Sequence, residues 1–276
     1  MRGGRVGSMK VVIPWAAGMV NNGSSQGRVV LITGGAKGVG RGISECFLAN
    51  GDRVIACGRE APEALPAVGD AQAAFMPVNL RDGDAIDALF ERIQAQYGRL
   101  DVLINNAGGT PFALADQSPA RLHEKIFQLN LMAPFHLAQK ANAMMQAGAG
   151  GSIVFIGSVS GLRASPGTAA YGAAKAAILN LVQSLAVEWA PKVRVVAVSP
   201  GPVLTEQSHL HYGDEAGIAA VAGTIPLQRL ADPADVGRAC VWLSSPDAAY
   251  VSGSNLLLHG GGERPAFLDA ATVNKS

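Results

Sequence analysis

Ser158, Tyr171 and Lys175 are the residues of this chain best suited to chemistry, and what they suit is proton transfer to or from an oxygen. Tyr171 and Lys175 stand four apart in Ala-rich sequence, so on a helix they share one face. Ser158 follows the apolar run 153–156, which reads as a buried strand whose end carries the hydroxyl toward that helix. A free tyrosine titrates near about 10 and is a poor base at neutral pH. A neighbouring ammonium stabilises the phenolate and draws that value toward the useful range. Alone, a Tyr/Lys pair at helical spacing is a modest signal, and a lone serine there reads as a strand-end turn.

A second constellation lies far upstream. The apolar run 29–33 enters a cluster, Gly34, Gly35, Gly38 and Gly40, and then a helical pattern, Ile43, Phe47 and Leu48. Glycine lets backbone approach a pyrophosphate closely, and a helix N-terminus offers free N–H groups and a positive dipole end. Glycines often mark only a tight turn, but a place between strand and helix is what a dinucleotide fingerprint requires. A strand at 53–57 completes a βαβ unit.

The elements that must hold these residues alternate along the chain. Residues 73–78 read as a third strand, and Ile86, Leu89, Phe90 and Ile93 as one helix face. A fourth strand, 102–104, ends at Asn105, and a long helical region covers about 118–146. The Ser158 strand and the Tyr171 helix come next, then strands at 193–198 and 255–259. This order predicts an α/β fold: one Rossmann-like, doubly wound parallel sheet of about seven strands with helices on both faces and ligands at the C-terminal strand ends.

Composition agrees with one catalytic domain. The chain has 276 residues, 49% hydrophobic and 16% charged, enough for a substantial core. A net charge of +1 gives no reason to invoke nucleic acid or an anionic membrane. Three cysteines, Cys46, Cys57 and Cys240, lack metal spacing and suit a reducing, cytoplasmic setting. Residues 1–26 carry Arg2, Arg5 and Lys10 before an apolar stretch that Pro14 interrupts, too short to span a bilayer. They read as a flexible extension, with 27–262 the domain and 263–276 a C-terminal tail.

The motifs Thr33-Gly34-x-x-x-Gly38-x-Gly40, Asn105-Asn106-Ala107-Gly108, Asn130, Ser158, Tyr171-x-x-x-Lys175 and Pro200-Gly201 stand in this order. Over roughly residues 27–262 the chain resembles the short-chain dehydrogenase/reductase family. The resemblance implies that Tyr171 is the general acid in reduction and the base in oxidation, and that Ser158 bonds the substrate oxygen. It implies that Lys175 lowers the tyrosine pKa and holds the nicotinamide ribose, and that Asn130 carries a water relay to Lys175. Read alone, Asn130 is a helix residue bonding nearby backbone. The implied cofactor contacts are Thr33, Gly34, Lys37, Gly38, Val39, Gly40, Arg59, Asn79, Leu80, Asn106, Ala107, Gly108, Tyr171, Lys175, Pro200, Gly201, Val203 and Thr205, with no metal.

Cofactor choice turns on the end of the second strand. Relatives that prefer NAD usually carry an acid there; here Gly58 is followed by Arg59, whose planar fork suits a 2′-phosphate. With Lys37 as a second base this favours NADP(H), NAD(H) remaining possible; both bases also read as ordinary surface charges. Asn79, Val196 and His259 depart from the Asp, Asn and Asp common in the family. Asn79 can still accept the adenine bond through its amide oxygen.

Residues 205–225 should form a substrate lid. Its His209 and His211 read as surface, and its apolar run 218–221 fits an apolar ketone or acyl thioester better than a polyol. Carrier-protein docking is doubtful, because the turn 146–151 and Val187 lack the arginines expected for it. The resemblance also implies a homo-oligomer, tetramer or dimer, through the Tyr171 helix and residues 250–262. Two alternatives stay open: an NAD-dependent hydroxysteroid or hydroxyacyl dehydrogenase, and a non-catalytic nicotinamide-sensing protein on the same fold.

Overall fold

The computed structural model describes residues 27–273; the expectation for residues 1–26 lies outside them. Along the chain run β1 (Val29–Thr33), α1 (Gly38–Ala49), β2 (Arg53–Gly58), a small hairpin of β3 (Ala67–Val68) and β4 (Ala71–Gln72), β5 (Ala74–Pro77) and α2 (Gly83–Tyr97). Then come β6 (Val102–Asn105), α3 (Ala120–Phe127), a π-helical turn (Gln128–Met132), α4 (Ala133–Ala147), β7 (Gly151–Ile156) and α5 (Ala169–Glu188). The chain continues through β8 (Val193–Pro200), α6 (His209–Tyr212), α7 (Glu215–Gly223), α8 (Pro233–Leu243), β9 (Asn255–Leu258) and α9 (Phe267–Ala270).

Seven strands form one parallel sheet in the order β5-β2-β1-β6-β7-β8-β9. Its central strands are buried on both faces, which explains their unbroken apolar runs. Side chains alternate between two cores, as period-2 geometry requires. Val29 and Leu31 join Leu103, Phe155 and Val195 beneath α2, α4 and α5. Val30 and Ile32 join Ile104, Val154 and Val196 beneath α1 and α8. Among the described residues one helix, α5, is long and apolar enough to cross a membrane. Its buried stripe, Ala174, Lys175, Ile178, Val182 and Leu185, includes a charge and packs inside the protein.

One expectation about elements is corrected. The third sheet strand is Ala74–Pro77, shorter at both ends than 73–78, and the connection before it holds the β3–β4 hairpin. The helical region expected at 118–146 is present, running without a break through α3, a π-turn and α4. The π-turn widens it at Gln128–Met132, where Asn130 Nδ2 donates to Ile126 O (2.9 Å) and to Gly109 O (3.0 Å). Such insertions gather at functional sites.

Candidate active site

The site lies at the C-terminal ends of β1, β6, β7 and β8. β7 ends at Ile156, and Ser158 caps the next turn, its Oγ accepting Ser160 N–H at 3.1 Å. The same hydroxyl is hydrogen-bonded to the Tyr171 phenol in the first turn of α5. One turn on, Lys175 is only 4% exposed, and its Nζ donates to Ile156 O at 2.7 Å. That ammonium lies 5.5 Å from the centre of the Tyr171 ring.

Burial sets the electrostatics. It pushes the Tyr171 phenol above its ordinary value; the Ser158 bond opposes the shift and the nearby Tyr212 adds to it. Burial also lowers Lys175 to about 8, because a charged amine loses solvation there. Sequence reasoning expected the ammonium to depress the tyrosine; in this structure desolvation raises it instead. The pair is a buried acid beside an amine poised near neutral pH.

Asn130 completes the constellation. Fully buried, it accepts Gly109 N–H at Oδ1 (2.9 Å) while donating to Gly109 O, so the π-turn grips the loop leaving β6. A Cβ on Gly108 would stand 2.7 Å from Asn130 Oδ1 and 3.5 Å from Lys175 Nζ. Both groups therefore converge on the space that a glycine leaves open. The backbone reading of Asn130 and its place beside Lys175 hold together.

The upstream glycines build a cradle that fits a dinucleotide. A Cβ on Gly40 would come 2.1 Å from Gly34 O and 2.6 Å from Asn106 Nδ2, so only glycine allows this approach of helix to turn. Gly34 itself adopts φ +62, and α1 begins at Gly38 with its N-terminus toward the turn. Val39 is half-buried in that first turn. Lys37 and Arg59 are exposed on either side, with no ion pair among the described residues.

Several expected cofactor contacts also hold the fold together. Thr33 is buried, and its Oγ1 accepts the N–H of Asn106 and of Ala107, each at 2.9 Å. Asn106 Nδ2 donates to Thr33 O at 2.8 Å, so these groups knit β1 to β6 beneath the cradle. Leu80 is buried in the core, and the exposed Asn79 uses Oδ1 to accept Arg81 N–H at 3.2 Å. Pro200 ends β8 and Gly201 follows it, its N–H reaching Leu258 O at 2.9 Å, and half-buried Val203 bridges to Ala231.

The lid comes closer than its sequence suggests. Thr205 Cγ2 and the Glu206 carboxylate lie 3.6 and 3.8 Å from where a Gly38 Cβ would stand. Glu206, Tyr212 and the rim residue Phe112 are the neighbours that sequence reasoning missed or assigned to plain surface. Only long-range folding brings them here. His209 and His211 are exposed, and among the described residues no cluster of His, Cys, Asp or Glu is placed to hold a metal.

Known proteins are similar to this chain over most of its length. A family model described as enoyl-(acyl carrier protein) reductase matches residues 34–263. The 3-oxoacyl-[acyl-carrier-protein] reductase of Haemophilus influenzae is 33% identical over 239 residues, covering 86% of this chain and 98% of that protein. An uncharacterized short-chain type dehydrogenase/reductase of Sinorhizobium fredii is 32% identical over 248 residues, covering 85% of this chain and 43% of that longer protein. Among solved structures, the aldohexose dehydrogenase of Thermoplasma acidophilum superposes with a TM-score of 0.80 at 27% identity, covering 91% of this chain and 97% of that one. The chain belongs to the short-chain dehydrogenase/reductase family and is an oxidoreductase acting on CH–OH and C=O groups with NAD(P).

Proposed function

We propose that the protein is an NADP(H)-dependent reductase of an apolar ketone or 3-oxoacyl thioester, with Tyr171 as the proton donor. The observation that supports it most is the joint placement of four groups: Ser158 bonded to Tyr171, and Asn130 and Lys175 meeting at Gly108. A nicotinamide cofactor supplies the hydride when bound. Gly34, Gly38 and Gly40 with the N-terminus of α1 would hold its pyrophosphate, with Thr205 beside Gly38, and Pro200 and Gly201 would help hold its nicotinamide end. Ser158 and Tyr171 hydroxyls orient the carbonyl oxygen, and Tyr171 delivers a proton as charge develops there. Lys175 and Asn130 return a proton to the phenol side of the site. A phenol kept above its ordinary pKa stays protonated at neutral pH, which suits reduction.

The 3-oxoacyl part of this reading draws on the name of the Haemophilus relative; its carrier protein does not carry over. On the turn 146–151 the nearest base is Lys192, and its Nζ already donates to Gln146 O (2.7 Å) and Gly148 O (3.3 Å). Val187, 81% exposed, offers no charge at all. The test is NADPH consumption with 3-oxoacyl esters, coenzyme A thioesters and carrier-bound thioesters. Turnover of the free substrates with no gain from the carrier is expected. No turnover of any ketone or thioester would sink the reading, and a tenfold or greater gain from the carrier would restore docking.

A homo-oligomer, tetramer or dimer, belongs to the same proposal. β9 ends the sheet with Leu256 and Leu257 exposed on opposite faces, an edge that a second copy would cover. Light scattering at micromolar concentration should report two or four chains; a monomer mass would remove this part.

A further inference from the structure

We infer that Phe112 is a specificity-determining residue, packing against the apolar tail of the substrate where that tail leaves the catalytic groups; this rests on the reductase reading above. Exposed large apolar side chains are unevenly placed on the sheet. Phe112, Leu114, Leu162, Leu204, Leu210 and Leu227 lie on the segments that follow β6, β7 and β8, beyond the strand ends that carry Gly108, Ser158 and Gly201. The turns that enter the same three strands expose none of this kind, and present Arg99 and Lys192 instead. Val187, Trp242, Tyr250 and the β9 leucines are exposed elsewhere, but these six gather on the loops at the mouth of the catalytic cleft, where a ligand would cover them.

Phe112 is the aromatic member of this set, and it is held in place. Its ring is 74% exposed, yet it sits on Gly167, where a Cβ would fall 2.0 Å from a ring carbon. Gly167 has φ +74, which strains any other residue, so both its backbone and the space above it demand glycine. Next to the ring, Ala113 N–H donates to Gly167 O at 2.7 Å, clamping the loop from β6 onto the loop that enters α5. The Ser165 and Thr168 hydroxyls, 2.6 Å apart, stiffen that second loop.

The clamp is close to the chemistry along both chains. Phe112 follows Gly108 by four residues and Gly167 precedes Tyr171 by four, so the backbone at each end of the clamp is within about 14 Å of a residue at the site. That is the reach of a medium-length acyl chain. A fixed aromatic plate at this distance discriminates by tail length while leaving the reacting carbonyl untouched.

The test is steady-state kinetics with NADPH on ethyl 3-oxobutanoate, 3-oxohexanoate, 3-oxooctanoate and 3-oxodecanoate. In the wild type kcat/KM should climb by about two- to fourfold per methylene once the chain reaches the ring. Phe112→Ala should match the wild type on the shortest ester and lose about tenfold on the longest, chiefly through KM, and Phe112→Leu should recover most of the loss. Parallel slopes for Phe112→Ala and wild type overturn this assignment while leaving the reductase reading intact. A uniform loss on every ester marks a structural role and overturns it too. Failure of the wild type on the whole series strikes the reductase reading, and the assignment with it.

Discussion

Replacing Tyr171 with phenylalanine should lower kcat/KM for carbonyl reduction by about 10²- to 10⁴-fold, with the affinity for NADPH almost unchanged. The substitution removes one oxygen. The ring keeps its place in the first turn of α5, so the buried stripe below it and the cradle at Gly34 and Gly40 are undisturbed. What disappears is the proton donor, and with it the partner of Ser158. The loss should fall on kcat and kcat/KM alike, because the bond to the carbonyl oxygen strengthens only as charge develops there. Stopped-flow single turnovers and fluorescence titration with NADPH separate the two quantities. A variant that still turns over at half the wild-type rate ends the acid–base role of Tyr171.

Acidity gives the same mechanism a second signature. Burial holds the phenol above its ordinary value, so it remains an acid throughout the neutral range. Lys175, lowered to about 8 by desolvation, loses its charge first as the pH rises. Reduction should therefore be level below about pH 8 and decline above it, following the lysine. Lys175→Arg keeps a charge at every accessible pH, and whatever activity it retains should lose that break. A break unmoved in Lys175→Arg assigns the titration to another group.

The sheet was legible because β1, β6, β7 and β8 are buried on both faces, which forces near-continuous apolar sequence and leaves little room for another reading. The reacting residues were legible because Tyr171 and Lys175 share a helix turn and Ser158 lies at a strand end, so local geometry alone nearly brings them together. What escaped the sequence is tertiary. Nothing in the period of residues 118–146 shows that Asn130 will bond the Gly109 backbone and open a π-turn. Thr33 reads as a cofactor contact by position, and that its hydroxyl also accepts two backbone amides from the loop after β6 is not visible in the sequence. Glu206 reaches the phosphate cradle only because the chain after β8 folds back over α1. Arg163 pairs with Glu263 at 2.5 Å, 100 residues away, a contact no spacing rule anticipates.

Gly58→Asp combined with Arg59→Ala should turn a preference for NADPH into one for NADH, weakening NADPH by about 10²-fold or more. Gly58 ends β2, half-buried beside the cradle, and a Cβ there would meet only the Phe75 ring at 3.9 Å, an ordinary contact. An aspartate therefore fits without moving backbone, and its carboxylate would stand where ribose hydroxyls can donate to it. The same carboxylate repels a 2′-phosphate. Arg59 is exposed and makes no ion pair among the described residues, so its guanidinium is available to a phosphate. Its loop is also positioned: Arg41, bonded through Nε to Glu45 at 2.8 Å, donates from a terminal nitrogen to Ala64 O at 3.1 Å, tying the segment after β2 to α1. Charge-assisted bonds from such an arginine contribute about 1.5 to 3 kcal/mol each, so losing them costs roughly ten- to a hundredfold in affinity before the new repulsion is added. Arg59→Ala alone should weaken NADPH and leave NADH unchanged, and Lys37→Ala should do the same more weakly, as a point charge without a fork. Paired titrations with both cofactors across the three variants decide the matter. Equal losses for the two cofactors in Arg59→Ala would remove Arg59 as the reader of the phosphate and return the choice to the NAD-linked alternative.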